Sequence, residues 1–248
     1  MSETTAPRRV QRVRHETRRR QLLVKRVEDL SPGLRRITLS GDELAGFVSA
    51  SFDDHVKLIF DAGDGAERPA VMRDYTPRRH DAAAGELDIV FALHGDGPAA
   101  AWATQAAPGQ PLVVAGPRGS FVIPLDYDWH LLAGDETALP AIARRLEELP
   151  AGARVIVLLA VAPEDRRPLA SAANVTLQWL DDDAALLAAV RALELPAGEG
   201  YAWCAGEAAL MAELRRVLVD GKGHDKQAIR AAAYWKRGAI AHHETLDL

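Results

Sequence analysis

The sequence predicts two domains joined end to end: an antiparallel six-stranded β-barrel, followed by an α/β domain built on a parallel sheet. Two observations carry this. Up to about Pro124 the apolar segments are short and separated by turn residues, the spacing of a small barrel or sandwich. From about Asp128 onward apolar strands alternate with helical stretches, the pattern of strands joined by crossover helices. The switch falls within Val122 to Asp128. It divides the 248 residues into a mobile basic start (1–20), a barrel domain (21–127) and an α/β domain with a C-terminal extension (128–248).

In the first domain, Gln21 to Val27 and Leu34 to Leu39 read as a hairpin about Ser31-Pro32-Gly33. His55 to Phe60 is a third strand, followed by a turn over Asp61 to Gly65. Arg73 to Arg78, Glu86 to Leu93 and Pro111 to Ala115 complete the six. A helix over Pro98 to Ala106, opened by Gly95-Asp96-Gly97, interrupts them. In the second domain, Trp129 to Ala133 is a short strand and Leu139 to Leu149 a helix. Arg154 to Val161 is apolar enough to be buried on both faces. Val175 to Leu180 is a strand and Ala184 to Leu193 a helix. Tyr201 to Ala205 is a strand and Ala208 to Val219 the helix after it.

Composition narrows the function. The apolar fraction of 48% and charged fraction of 26% are those of a globular protein with a real core. A net charge of −5 weighs against nucleic acid as the main partner. Cys204 is the single cysteine, so neither an intrachain disulfide nor a thiolate metal cluster can form. No apolar run is long enough to span a bilayer, so no integral membrane segment is expected. Met1 to Arg20 lacks the apolar core of a secretory signal, and the cytoplasm is the default compartment. The arginines of this start (Arg8, Arg9, Arg12, Arg14, Arg18, Arg19, Arg20) read as a solvated lead into the first strand rather than a nucleic-acid tail.

Five segments bear chemistry. Arg73-Asp74-Tyr75-Thr76-Pro77-Arg78 places a cation, an aromatic ring and a hydroxyl on one extended stretch. A flat redox cofactor with a phosphate tail needs these groups. Alternation would put Arg73 and Tyr75 on one face and Thr76 on the other, unless Pro77 bends the chain. His94-Gly95-Asp96-Gly97-Pro98-Ala99-Ala100-Ala101-Trp102 turns from a strand into a helix start, where backbone N–H groups favour phosphate and small residues allow its approach. Gly116-Pro117-Arg118-Gly119-Ser120 is a tight loop carrying one cation. Gly134-Asp135-Glu136-Thr137-Ala138-Leu139-Pro140 joins a parallel strand to a helix, the place where dinucleotides dock. It lacks the glycine-rich fingerprint and its two acids would repel a pyrophosphate, so helix capping by Asp135 or Thr137 is an equal reading. Trp203-Cys204-Ala205-Gly206-Glu207 lies at another strand end, where small residues would admit a nicotinamide ring; Cys204 itself reads as a buried small hydrophobe.

In this order, and with Tyr234-Trp235-Lys236-Arg237-Gly238 near the end, the segments resemble the ferredoxin-reductase-type flavoenzymes. The match is closer to one branch, the siderophore-interacting proteins, which are FAD-containing ferric-siderophore reductases. The resemblance covers nearly all of the chain after Arg20. It implies that Tyr75 stacks on the isoalloxazine, that Thr76 lies near its reactive N5 edge, and that Arg73 meets the FAD phosphates. His94, Gly97, Pro98, Ala99, Ala100 and Trp102 would line the rest of the FAD site. Arg78 would serve FAD or only the surface. Ferric siderophores of the catecholate type are anionic, and the resemblance implies a basic cluster to hold them; Lys57, Arg118 and Arg237 are the candidates, with Lys236 as the alternate for Arg237. Gly134, Asp135, Thr137 and Gly206 would meet the electron donor, NADPH or NADH, with ferredoxin as the alternative. His242-His243-Glu244 reads as a solvated tail, and no permanent metal site is expected. Two other readings stay open: a flavin or ferredoxin-type reductase with no siderophore role, and a ferric-chelate binding protein without flavin.

Overall fold

The structure is a computed structural model that describes residues 9–60, 71–93 and 97–238, with the backbone of 244–245. Its elements, in chain order, are β1 (Gln11–Arg14), β2 (Arg19–Ser31), β3 (Leu34–Ser40), β4 (Val56–Phe60), β5 (Val71–Tyr75), β6 (Arg79–Asp81), β7 (Glu86–Ala92), α1 (Pro98–Gln105), β8 (Pro111–Ala115) and β9 (Gly119–Val122). The second half continues with β10 (Trp129–Asp135), α2 (Leu139–Glu148), β11 (Arg154–Ala160), β12 (Asn174–Leu180), α3 (Asp183–Ala192), β13 (Gly200–Glu207), α4 (Ala208–Arg216), β14 (Ile229–Trp235) and β15 (Glu244–Thr245).

The first half is a curled antiparallel sheet. Its order is β5, β4, β8, β2, β3, β7, β6. The six expected strands are all in it, and β6 is a seventh among the described residues. Inward-facing Leu22, Ile37, Leu58, Ile89, Phe91 and Val114 fill it and are almost fully buried. They recur every second residue along their strands, as a pleated sheet with one packed face requires. Two readings of the sequence need correction here. The stretch Arg73 to Arg78 is not one strand: β5 ends at Tyr75 and the chain re-enters the sheet at Arg79. Pro77 explains the break, since it has no N–H to give to a ladder. Gln11–Arg14, read as part of a mobile start, pair instead with β9 in a two-stranded ribbon.

The second half is a sheet of order β12, β11, β10, β13, β14, β15, parallel except for the last pair. The Arg154–Ala160 run is buried from Val155 onward, as its lack of alternation implies. Helix α2 covers one face, and α3 and α4 cover the other. The core on the α2 side does not stop at the domain boundary. Leu34, Phe52 and Val90 of the first half pack into the same cluster as Leu132, Ile142 and Trp203. Polar ties reinforce this seam. Asp165 accepts from the Gly33 N–H at the tip of the β2–β3 turn (2.7 Å). Asp53 faces Arg230 of β14 at 2.5 Å, with both side chains nearly buried, and it also accepts from Ser51 Oγ (2.9 Å). Among the described residues no helix is long and apolar enough to cross a membrane.

Candidate active site

Two cavities lie where the halves meet. The first, of about 280 Å³, runs between β5, the start of α1 and the β10–α2 loop. Arg73, Asp74, Tyr75 and Thr76 all line it. The facing problem posed by strict alternation therefore disappears, because Thr76 lies past the strand end and is turned by Pro77. The ring of Tyr75 packs against Phe91, centroids 4.5 Å apart at 40°. Burial raises its pKa, so the phenol stays neutral. Thr76 is buried and shares a hydrogen bond with the hydroxyl of Tyr234, whose pKa burial also raises.

Helix α2 fixes this segment from the other domain. Arg144 donates to the Pro77 carbonyl (2.9 Å) and Arg78 donates to Glu147 (2.9 Å). Arg78 thus ties the two halves together through Glu147 and is not among the residues that line this cavity.

The far wall is the start of α1. Gly97, Pro98, Ala99 and Ala100 line the cavity. No side chain caps this helix and its first turn carries no acid, so its backbone N–H groups and partial positive charge are left for a ligand. A Cβ at Gly97 would meet nothing within 4 Å, so the approach is open. Trp102 lies one turn further on, and its ring packs on Phe60 (5.5 Å) and Phe91 (5.7 Å) in the barrel core. It is not among the residues that line the cavity, and it stands behind the α1 start that does. His94 lies outside the described residues.

The second cavity, of about 580 Å³, opens at the carboxyl ends of β10, β11 and β12. Asp165, Asp181, Asp182 and Asp183 line it, with Arg237 opposite them. Arg237 was expected beside the substrate cations. It lies on the wall of this cavity, 3.4 Å from Asp183. Lys57 lies on β4 and pairs with Asp74 of β5 (2.9 Å), beside the first cavity. Arg118 is exposed on the turn between β8 and β9.

The four residues assigned to the electron donor come together around the end of β10, between the two cavities. A Cβ on Gly134 would lie 2.3 Å from the Ala205 carbonyl, so glycine is required for α2 and β13 to approach β10. A Cβ on Gly206 would lie 2.6 Å from Asp135 Oδ2. Asp135 is buried and accepts from the Thr137 N–H (2.9 Å) and Trp235 Nε1 (2.8 Å). Burial raises its pKa. Gly134 and Gly206 are held glycine by the close approach of their neighbours, Thr137 lines the first cavity and Asp135 lines the second. Three residues that no sequence argument gave a role close the site: Glu136, Tyr234 and Trp235. The signal for the last two was present in the Tyr-Trp pair, but its strand, Ile-Arg-Ala-Ala-Ala-Tyr-Trp, has the alanine content of a helix.

A fold of this kind with this cavity has known relatives. Residues 127–238 match the family model described as siderophore-interacting protein, and residues 23–70 and 62–121 match the siderophore-interacting FAD-binding domain. The chain is 40% identical to an Escherichia coli protein named NADPH-dependent ferric-chelate reductase, over 92% of this chain and 97% of that one. It is 34% identical to the ferric vibriobactin reductase ViuB of Vibrio cholerae, over 87% and 89%. Among solved structures, a siderophore utilization protein from T. fusca superposes with a TM-score of 0.86 at 34% identity, covering 94% of this chain and 98% of that one. The chain belongs to the siderophore-interacting protein family.

Proposed function

We propose that this protein is an FAD-dependent ferric-siderophore reductase that takes electrons from NADPH. The observation that carries the reading is the first cavity, whose walls match the parts of FAD in order. Tyr75 offers a flat ring, Thr76 and Tyr234 offer hydroxyls, Arg73 offers a cation, and the uncapped start of α1 offers N–H groups for phosphate. On this reading the barrel half is the flavin domain and the α/β half the donor domain. A bound flavin converts a two-electron hydride donor into a source of single electrons, which Fe³⁺ requires.

The protein's part is placement. Tyr75 holds the ring plane, Thr76 sets a hydroxyl at the reacting edge, and α2 keeps both still through Arg144 and Glu147. Lys57 and Arg118 hold the anionic chelate, with Lys57 exchanging Asp74 for the ligand. One electron loosens the chelate because hard oxygen donors bind Fe³⁺ far better than Fe²⁺, and the metal can then pass to softer ligands. Arg237, the third candidate cation for the chelate, faces the strand-end cavity from beyond Glu136. We place the reaction in the cytoplasm, where NADPH is at hand.

The test begins with a spectrum. The purified protein is expected to carry or take up FAD, to bleach with NADPH, and to recover its yellow colour when a ferric siderophore is added. A protein that takes up no FAD would overturn the reading; bleaching by reduced ferredoxin alone would reassign the donor. Lys57→Ala with Arg118→Ala is expected to raise KM for a ferric catecholate roughly tenfold, a loss of about 1.4 kcal/mol, while the rate of bleaching by NADPH stays unchanged. An unchanged KM would remove both residues from the substrate site.

A further inference from the structure

Glu136 occupies the wall between the two cavities. It lines the first cavity together with Thr76 and Tyr234, and the second together with Asp165 and Asp183. Its surroundings are unusual for a carboxyl group. Asp135 is its chain neighbour, Asp165 follows β11, Asp181 and Asp182 follow β12, and Asp183 opens α3. Arg237 faces the same space but is 3.4 Å from Asp183. Across the first cavity stand Arg73 and Asp74 of β5, with Tyr234 and Trp235 of β14. Burial, and then the Asp135 carboxyl, push the Glu136 pKa up to about 7.

We infer that Glu136 takes up a proton each time the neighbouring flavin is reduced and releases it each time the flavin is reoxidised. The inference rests on the flavoenzyme reading above. Hydride transfer leaves the flavin with one added negative charge. A negative charge arriving beside a carboxylate favours its protonated form. By linkage, the protonated carboxyl in turn favours the reduced flavin. The balance is closed. NADPH, FAD, ionised Glu136 and one proton give NADP⁺, FADH⁻ and protonated Glu136. Two ferric chelates then take one electron each, which returns FAD and ionised Glu136 and frees two protons, one from the flavin and one from Glu136.

The readout is the pH dependence of the flavin reduction equilibrium, measured by redox titration of the FAD-loaded protein from just above pH 7 to about pH 9. In that range a flavin alone binds one proton per electron pair, and its reduction constant falls roughly tenfold per pH unit. With Glu136 taking a second proton, the fall steepens toward roughly 100-fold per unit. Glu136→Gln, and separately Glu136→Ala, are expected to return it to about tenfold. A tenfold dependence in the unaltered protein overturns the inference whatever the variants do, and so does a steep dependence that survives both substitutions. Failure to bind FAD at all instead overturns the flavoenzyme reading, so the two failures are distinguishable.

Discussion

Replacing Arg73 with alanine is expected to weaken FAD binding by roughly 10- to 100-fold, because a charge-assisted hydrogen bond is worth about 1.5–3 kcal/mol. Arg73 lies on the edge strand β5 and faces the cavity, where, among the described residues, its guanidinium donates to the Met72 carbonyl (2.8 Å). A diphosphate is a better acceptor than a backbone carbonyl, and among the described residues the α1 start opposite supplies N–H groups but no charged side chain. Arg73 is thus the full positive charge that β5 brings to this space. Fluorescence titration of the apoprotein with FAD checks the size of the effect. Arg73→Lys is expected to recover part of it, since lysine restores charge but not the planar fork. An alanine variant that holds FAD as tightly as the unaltered protein would move the phosphates elsewhere.

The second large effect concerns stability. Arg230→Ala is expected to destabilise the fold by about 3–5 kcal/mol, the cost of leaving a buried charge without its partner. The stranded group is Asp53, whose side chain is 2% exposed. It keeps Ser51 Oγ, and Trp203 Nε1 approaches at 3.4 Å, but neither carries a charge. The substitution also strips the guanidinium from the ring of Phe121, 4.6 Å away. For a chain of this length the melting temperature should fall on the order of 10 °C. The double variant Asp53→Leu with Arg230→Met is the informative control, because removing both charges of a buried pair is often near neutral. A double variant as unstable as the single one would show that packing around Phe121, not the stranded charge, is responsible.

Much of the architecture is legible in local pattern because local pattern is what packing selects. The unbroken apolar run from Val155 to Ala160 announces a strand covered on both faces, and it is one. The strands that escape reading are those whose partners create them. Gln11–Arg14 holds three polar residues in four and is a strand because β9 lies beside it. Arg79–Asp81 is three residues long and exists through its pairing with β7. The site divides the same way. Tyr75, Thr76 and the Gly97–Ala100 turn are contiguous motifs and are visible as such. Arg78 looks like one more member of the first motif, and its pairing with Glu147, 69 residues later, is not encoded there. Tyr234 joins the site through Thr76, a contact that no spacing along the chain encodes.

The cavity that runs from Arg73 to Trp235 has a consequence in time. Its two walls are about 160 residues apart in the chain. At a synthesis rate of about 5–20 residues per second, β5 leaves the ribosome roughly 10–30 s before β14 does. In that interval the curled sheet can form while its edge strand β5 faces water, with neither Tyr234 against Thr76 nor α2 against Pro77. Loading of the cofactor is therefore a late event, set by β14, the last wall of the cavity to arrive, rather than by the motif that first announces the site.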